Sequence, residues 1–214
     1  MRAIQYIPQG VLLAVVDPGV GTERKPIALD TEWGVMIGPD NGLLNLACAT
    51  VGGAQRGYLL ENEDWIIPSE GNTFHARDLF SPFAAGYASG QLSIEDFGSE
   101  LDLSNLNQYL IPLTEATDSE IKGEILWVDH YGNCQTNVSP EELRELKKSI
   151  GDVINIKIGN AEIKTTWVDS YQGEYLGEVG LITDSWGMVS LFATNKNASS
   201  ILNIKDGAKI NFSI

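Results

Sequence analysis

Basic residues are scarce in this chain, and cysteine, histidine and long apolar runs are scarcer still. Fourteen lysines and arginines stand against 29 acidic residues, a formal net charge of -15 over 214 residues. Such a surface repels nucleic acid and anionic membranes, and a small cationic or zwitterionic ligand suits it better. Cys48 and Cys134 are the only cysteines, too few for a disulfide framework and without metal-ligand spacing, so a reducing cytoplasm is the simplest setting. No apolar stretch approaches the ~18 residues that a membrane helix needs, and no charged segment followed by an apolar run opens the chain. What is present is ordinary for a globular protein with a real core, with 43% apolar residues.

The order of patterns predicts two domains of different character. Arg2 to Ile7 reads as the last turns of an amphipathic helix, stopped by Pro8-Gln9-Gly10. Val11 to Val16 carries no charge and reads as a buried strand, ended by Asp17-Pro18-Gly19. Short apolar runs at 26–29, 35–38 and 58–60 predict further strands, and 43–51 predicts a buried helix. A second helix follows Asn72 or Thr73 as cap and runs to about Ser89. From Asp96 to Glu120 the chain is acidic and irregular. Beyond it, short β runs at 125–128, 153–158, 163–168, 180–183, 189–192 and 210–212 are interrupted by one clear helix, opened by the Ser139-Pro140-Glu141-Glu142 capping box. These patterns predict an α/β amino-terminal domain over 1–112, a linker over 113–120 and an antiparallel β-barrel-like domain over 121–214.

Four polar stretches are candidates for chemistry. Asp17 ends a strand at a stiff Pro-Gly turn, the edge of an open α/β sheet where ligands bind. His75 and Ala76 fall in the first turn of the predicted helix, where free N–H groups favour an anion or an attacking water. Asp40-Asn41-Gly42 is foremost a turn signal. Asp129-His130-Tyr131-Gly132-Asn133 packs an acid, an aromatic and an amide into one turn, which suits a ligand with an amine, a flat ring and hydroxyls. Gly19-Val20-Gly21-Thr22-Glu23-Arg24-Lys25 fails both the P-loop spacing and the dinucleotide fingerprint. Asp17, Asp40, His75, Asp78, Asp129 and His130 include no short metal-binding pair on one helix, so a metal hydrolase ranks low.

Taken in order, Val15-Val16-Asp17-Pro18-Gly19-Val20-Gly21-Thr22 with Arg24, Gly38-Pro39-Asp40-Asn41-Gly42, Phe74-His75-Ala76-Arg77-Asp78 and Asp129-His130-Tyr131-Gly132-Asn133 resemble the S-adenosylmethionine hydroxide adenosyltransferases, relatives of the fluorinase and chlorinase. The resemblance covers nearly the whole chain, Asp184-Ser185-Trp186-Gly187 included. It implies attack of water on C5′ of S-adenosylmethionine, releasing adenosine and L-methionine without metal or cofactor. The family's Asp-Arg-His set falls on Asp17, Arg24 and His75; Arg24 would pair with Asp17 and favour hydroxide character in the water, while His75 would orient the water or accept its proton. The halogenating relatives carry tyrosine in place of Asp17, which implies hydroxide rather than halide. Asp129, Tyr131 and Asn133 match the segment that holds the amino-acid part and the adenosine, Ser185 and Trp186 fall in the segment that contacts adenine, and Ala76 stands where glycine is usual. The resemblance further implies a homotrimer with sites shared between subunits. Relatives have roughly one βαβ unit before this point, with a ribose-gripping aspartate, so the chain is expected to lack its first unit. The competing expectation is a non-catalytic adenosine or S-adenosylmethionine binding protein, or an inactive remnant.

Overall fold

The computed structural model describes residues 3–159 and 161–213. The chain divides into two compact units, Met1–Leu110 and Ile111–Ile214. The first is built on a mixed sheet of β1 (Gly10–Leu13), β2 (Pro26–Thr31), β3 (Gly34–Pro39) and β4 (Ala54–Leu59), in the order β1-β3-β2-β4. β1 pairs with β3 in parallel, and the other two pairings are antiparallel. Both faces of this sheet are covered, which is why the two central strands, β2 and β3, are buried at nearly every position rather than at alternate ones. Ala28, Val35 and Ile37 pack with Phe80 and Phe83 on one face; Ile27, Leu29 and Met36 pack with Leu44, Ala47 and Cys48 on the other. The second face is covered by α1 (Asn45–Thr50) and the first by α2 (Ser81–Ala88).

Three local readings differ from expectation. The start of the chain forms a single 3-10 turn at Ile4–Tyr6 rather than the end of a longer helix; Met1 and Arg2 lie outside the described residues. β1 is shorter than the apolar run and only half-buried, because among the described residues it pairs on one side alone. Neither Asn72 nor Thr73 caps a helix: His75 takes that position, a five-residue π turn follows at Ala76–Phe80, and α2 continues from it.

The second unit is a closed barrel of seven strands: β6 (Glu120–Val128), β7 (Cys134–Thr136), β8 (Val153–Ile158), β9 (Ala161–Val168), β10 (Gly180–Thr183), β11 (Val189–Phe192) and β12 (Lys209–Ser213). The ring runs β12-β8-β9-β10-β11-β7-β6 and closes through β12–β6, with β5 (Glu115–Ala116) flanking β6. Every pairing is antiparallel except β9–β10. Alternation explains the inside: Ile154, Ile156 and Ile158 of β8 are buried among Trp167, Leu181, Leu191 and Phe212, while Lys157 points outward. α3 (Pro140–Glu145) has the expected capping box and packs Leu143 on this core. α4 (Ala198–Leu202), capped by Asn197, is a second helix that the sequence reading passed over.

Candidate active site

The turn after β1 is closed by its own polar groups. The Thr22 hydroxyl donates to the Gly19 carbonyl at 2.7 Å, the amide of Val20 donates to the Asp17 carbonyl at 3.3 Å, and Asn41 donates to the Val16 carbonyl at 2.8 Å. Gly21 has φ +77, and a Cβ there would lie 3.0 Å from the Asn72 carbonyl oxygen, so the turn needs glycine for both conformation and space. The result folds Arg24, just before β2, back onto Asp17. Its Nε donates to Asp17 Oδ1 at 3.1 Å and its Nη2 to Asp17 Oδ2, a two-pronged ion pair whose side chains are 7% and 6% exposed.

The same Nη2 lies 3.2 Å from His75 Nδ1. Asp17, Arg24 and His75, from three places in the sequence, thus form one hydrogen-bonded chain. The Phe80 ring lies under the guanidinium, with its centroid 5.2 Å from Cζ, and adds a cation–π contact in a fully buried setting. Arg24 Nη1 is buried and has no hydrogen-bond partner among the described residues. A buried guanidinium beside an acid and an imidazole brings positive potential to the groups around it, which favours negative charge developing on a nearby oxygen. Ala76 opens the π turn after His75, and Phe74 ahead of it stacks on Arg77, which pairs with Asp78.

The other expected residues lie in the second unit, on two hairpin turns of the same design. Between β6 and β7, Asp129 Oδ1 accepts from the amides of Tyr131 and Asn133, both at 2.8 Å, and its Oδ2 accepts from Asn133 Nδ2 at 2.8 Å. Between β10 and β11, Asp184 Oδ1 accepts from the amides of Trp186 at 2.8 Å and Met188 at 3.2 Å. In each the fourth residue is a glycine with positive φ, Gly132 at +86 and Gly187 at +74. Both turns read Asp-x-aromatic-Gly-x and display their aromatic, with Tyr131 76% and Trp186 36% exposed. Ser185 is exposed at the second tip.

Sequence reasoning missed Gln135 and Ser190, which hold the second turn, and Tyr171, which lies in the same unit. Gln135 and Ser190 both donate to Asp184 Oδ2. Tyr171 packs edge-on against Phe192 with ring centroids 5.1 Å apart, and its phenol is pushed up by burial first, then by the charges of Asp184 and Asp129. Its only sequence signal is an aromatic inside the polar run Asp169-Ser170-Tyr171-Gln172-Gly173. Among the described residues, no group of three or more His, Cys, Asp or Glu side chains is placed to hold a metal ion.

The amino-terminal part, residues 1–98, matches the SAM hydroxide adenosyltransferase N-terminal domain, and residues 123–211 match the SAM hydroxide adenosyltransferase C-terminal domain. The chain belongs to the SAM hydroxide adenosyltransferase family. It is 37% identical over 209 residues to the (R)-S-adenosyl-L-methionine hydrolase of Salinispora tropica, covering 98% of this chain and 77% of that protein. The (R)-S-adenosyl-L-methionine hydrolase of Thermus thermophilus is 32% identical, with 98% of this chain and 78% of that protein covered. Among solved structures, an uncharacterized conserved protein from Thermotoga maritima superposes with a TM-score of 0.88 at 28% identity, over 100% of this chain and 80% of that one. Family membership accounts for the mixed sheet followed by a barrel. No helix among the described residues is long and apolar enough to cross a membrane.

Proposed function

We propose that this protein hydrolyses S-adenosyl-L-methionine to adenosine and L-methionine, with water attacking C5′ in line with the C5′–S bond. The observation that carries the reading is the buried, hydrogen-bonded chain Asp17–Arg24–His75, in a member of a family whose curated relatives are named (R)-S-adenosyl-L-methionine hydrolases. A sulfonium is already a good leaving group. The protein therefore needs mainly to align the water and to favour its hydroxide character, for which a buried guanidinium and a carboxylate are the right equipment. No metal or cofactor enters the reaction on this reading.

Asp129, Tyr131 and Asn133 are assigned to the amino-acid part and the adenosine, Ser185 and Trp186 to adenine, and the Ala76 amide to the substrate near His75. The acidic chain suits a substrate that carries a sulfonium and an ammonium. A homotrimer with sites shared between subunits belongs to the same proposal, as does a cytoplasmic setting, where the two free thiols would persist.

The test is incubation of the purified protein with S-adenosylmethionine, with adenosine and methionine measured. Asp17→Asn is expected to lower kcat by ~100-fold or more while KM changes little, the signature of a lost proton-handling group. No adenosine from well-folded protein at its native oligomeric state would end the proposal. Loss of activity on dilution to monomers is expected if subunits share the site.

A further inference from the structure

β7 is a strand of three buried residues, two of them polar, and a buried polar side chain is costly unless it is hydrogen-bonded. Thr136 spends its hydroxyl on the Val189 carbonyl at 2.7 Å. Gln135 has a more specific target. It lies directly opposite Ser190 in the β7–β11 pairing, and both side chains donate to one atom, Oδ2 of Asp184, Ser190 at 2.7 Å. The other oxygen of Asp184 already accepts the amides of Trp186 and Met188. These hydrogen bonds together fill the roughly four acceptor sites of a carboxylate. Asp184 therefore has no acceptor to offer a ligand, and its work is to hold the tip Ser185-Trp186 in place.

We infer, on the hydrolase reading above, that Gln135 is a positioning residue for the Ser185-Trp186 tip. The two donors to Asp184 Oδ2 differ in where they come from. Ser190 belongs to the β10–β11 hairpin that carries the tip and moves with it. Gln135 comes from the neighbouring β6–β7 hairpin, on the strand that begins directly after Asn133. Its side-chain amide thus joins the turn assigned to adenine to the hairpin whose turn is assigned to the amino-acid part and the adenosine. A residue that acts through Asp184 changes how firmly the adenine is held, not the breaking of the C5′–S bond. Its loss therefore raises KM and leaves kcat near the native value.

Two variants test this. Gln135→Leu removes the donor at similar volume, and Gln135→Glu keeps the shape but exchanges the donor for an acceptor. Hydrogen exchange of the full chain without substrate, read by 1H–15N spectra at neutral pH, should show the amides of Trp186 and Met188 exchanging ~10-fold faster in Gln135→Leu. The ladder amides between β8 and β9 should keep native protection. Equal acceleration everywhere would make Gln135 a general core residue, and unchanged Trp186 and Met188 would show that Ser190 suffices; either overturns the inference. Gln135→Glu carries the same comparison should the leucine variant not fold. In the kinetic arm, KM for S-adenosylmethionine should rise ~10-fold in Gln135→Leu with kcat within ~2-fold of native. In Gln135→Glu the new carboxyl sits against Asp184, so one proton is retained above the ordinary carboxylate range, and a protonated carboxyl donates the same hydrogen bond. Its KM should approach the native value as the pH falls through the loss of that proton and rise toward that of Gln135→Leu above it. A ratio to the native KM that is constant with pH, or a loss in kcat at constant KM, refutes the assignment. The exchange arm needs no turnover, so a native protein that makes no adenosine would sink the hydrolase reading while Trp186 and Met188 still decide the role of Gln135.

Discussion

Arg24 is the residue on which the site turns, and it illustrates why a charge can be buried when its geometry is complete. Its fork meets both oxygens of Asp17, its flat face meets Phe80, and its Nη2 also meets His75. The buried pair is costly to desolvate, so its net contribution to stability is small, but its position is tightly specified. Lysine in its place would keep the charge and lose the fork, the stacking and one of the two simultaneous contacts. Arg24→Lys is therefore expected to lower kcat by ~100-fold and to destabilise the protein by about 1–3 kcal/mol, since one acceptor of a buried pair is left unmatched. Steady-state adenosine release and thermal melts check the two effects; near-native kcat would show that charge alone suffices. The glycines of the preceding turn belong to the same device, because Gly21 lets the chain pass close under Asn72 and return Arg24 to Asp17.

At the scale of elements, His75 is delivered by a π turn, and the anchor of that turn is Asp78. Its carboxyl is held below the usual carboxylate range first by the hydrogen bond from Arg77, with Ser69 and the nearby charges adding to it. A carboxyl depressed in the folded state contributes stability that is present above its unfolded pKa and lost as pH falls through the lower, folded one. Asp78→Asn should therefore melt below the native protein at neutral pH. The gap should close as the pH is lowered beneath the ordinary carboxylate range; a gap that stays constant with pH would assign the effect to packing. The π turn itself was not legible in the sequence, whose small-residue pattern reads equally well as a regular helix. Strands were more visible: 153–158, 180–183 and 189–192 coincide with β8, β10 and β11, because apolar runs bounded by glycine and polar turns leave few alternatives. β7 was missed, since three buried residues, two of them polar, show no period. α4 was missed because its five residues are too few to display one. The Asp17, Arg24 and His75 set came from resemblance to a family, as nothing in local pattern says that Arg24 and His75, 51 positions apart, come into contact. The common design of the Asp129 and Asp184 turns was readable as Asp-x-aromatic-Gly, yet it acquires meaning only from the matching hydrogen bonds.

The whole molecule carries two separate hydrophobic interiors. Every buried residue of the sheet clusters lies before position 111 and every buried residue of the barrel clusters after it. Each interior holds one free buried cysteine, Cys48 in the first unit and Cys134 in the second. Burial pushes both thiols up, and Cys134, with Asp129 and Asp206 adding to burial, reaches about 12. Thiolate is the reactive form, so neither cysteine should react with a thiol reagent at neutral pH while its unit is folded. The two surroundings differ. Cys48 lines a pocket of about 190 Å³ under α1, whereas Cys134 is fully buried inside a closed ring of strands that leaves no open edge. Pulse labelling along a denaturant titration, read by mass spectrometry of the two cysteine peptides, should therefore show Cys48 becoming reactive at a lower denaturant concentration than Cys134. Coincident labelling would mean that the two cores unfold as one cooperative unit, and labelling of Cys134 first would mean that the barrel, not the sheet that carries Asp17 and Arg24, is the weaker part.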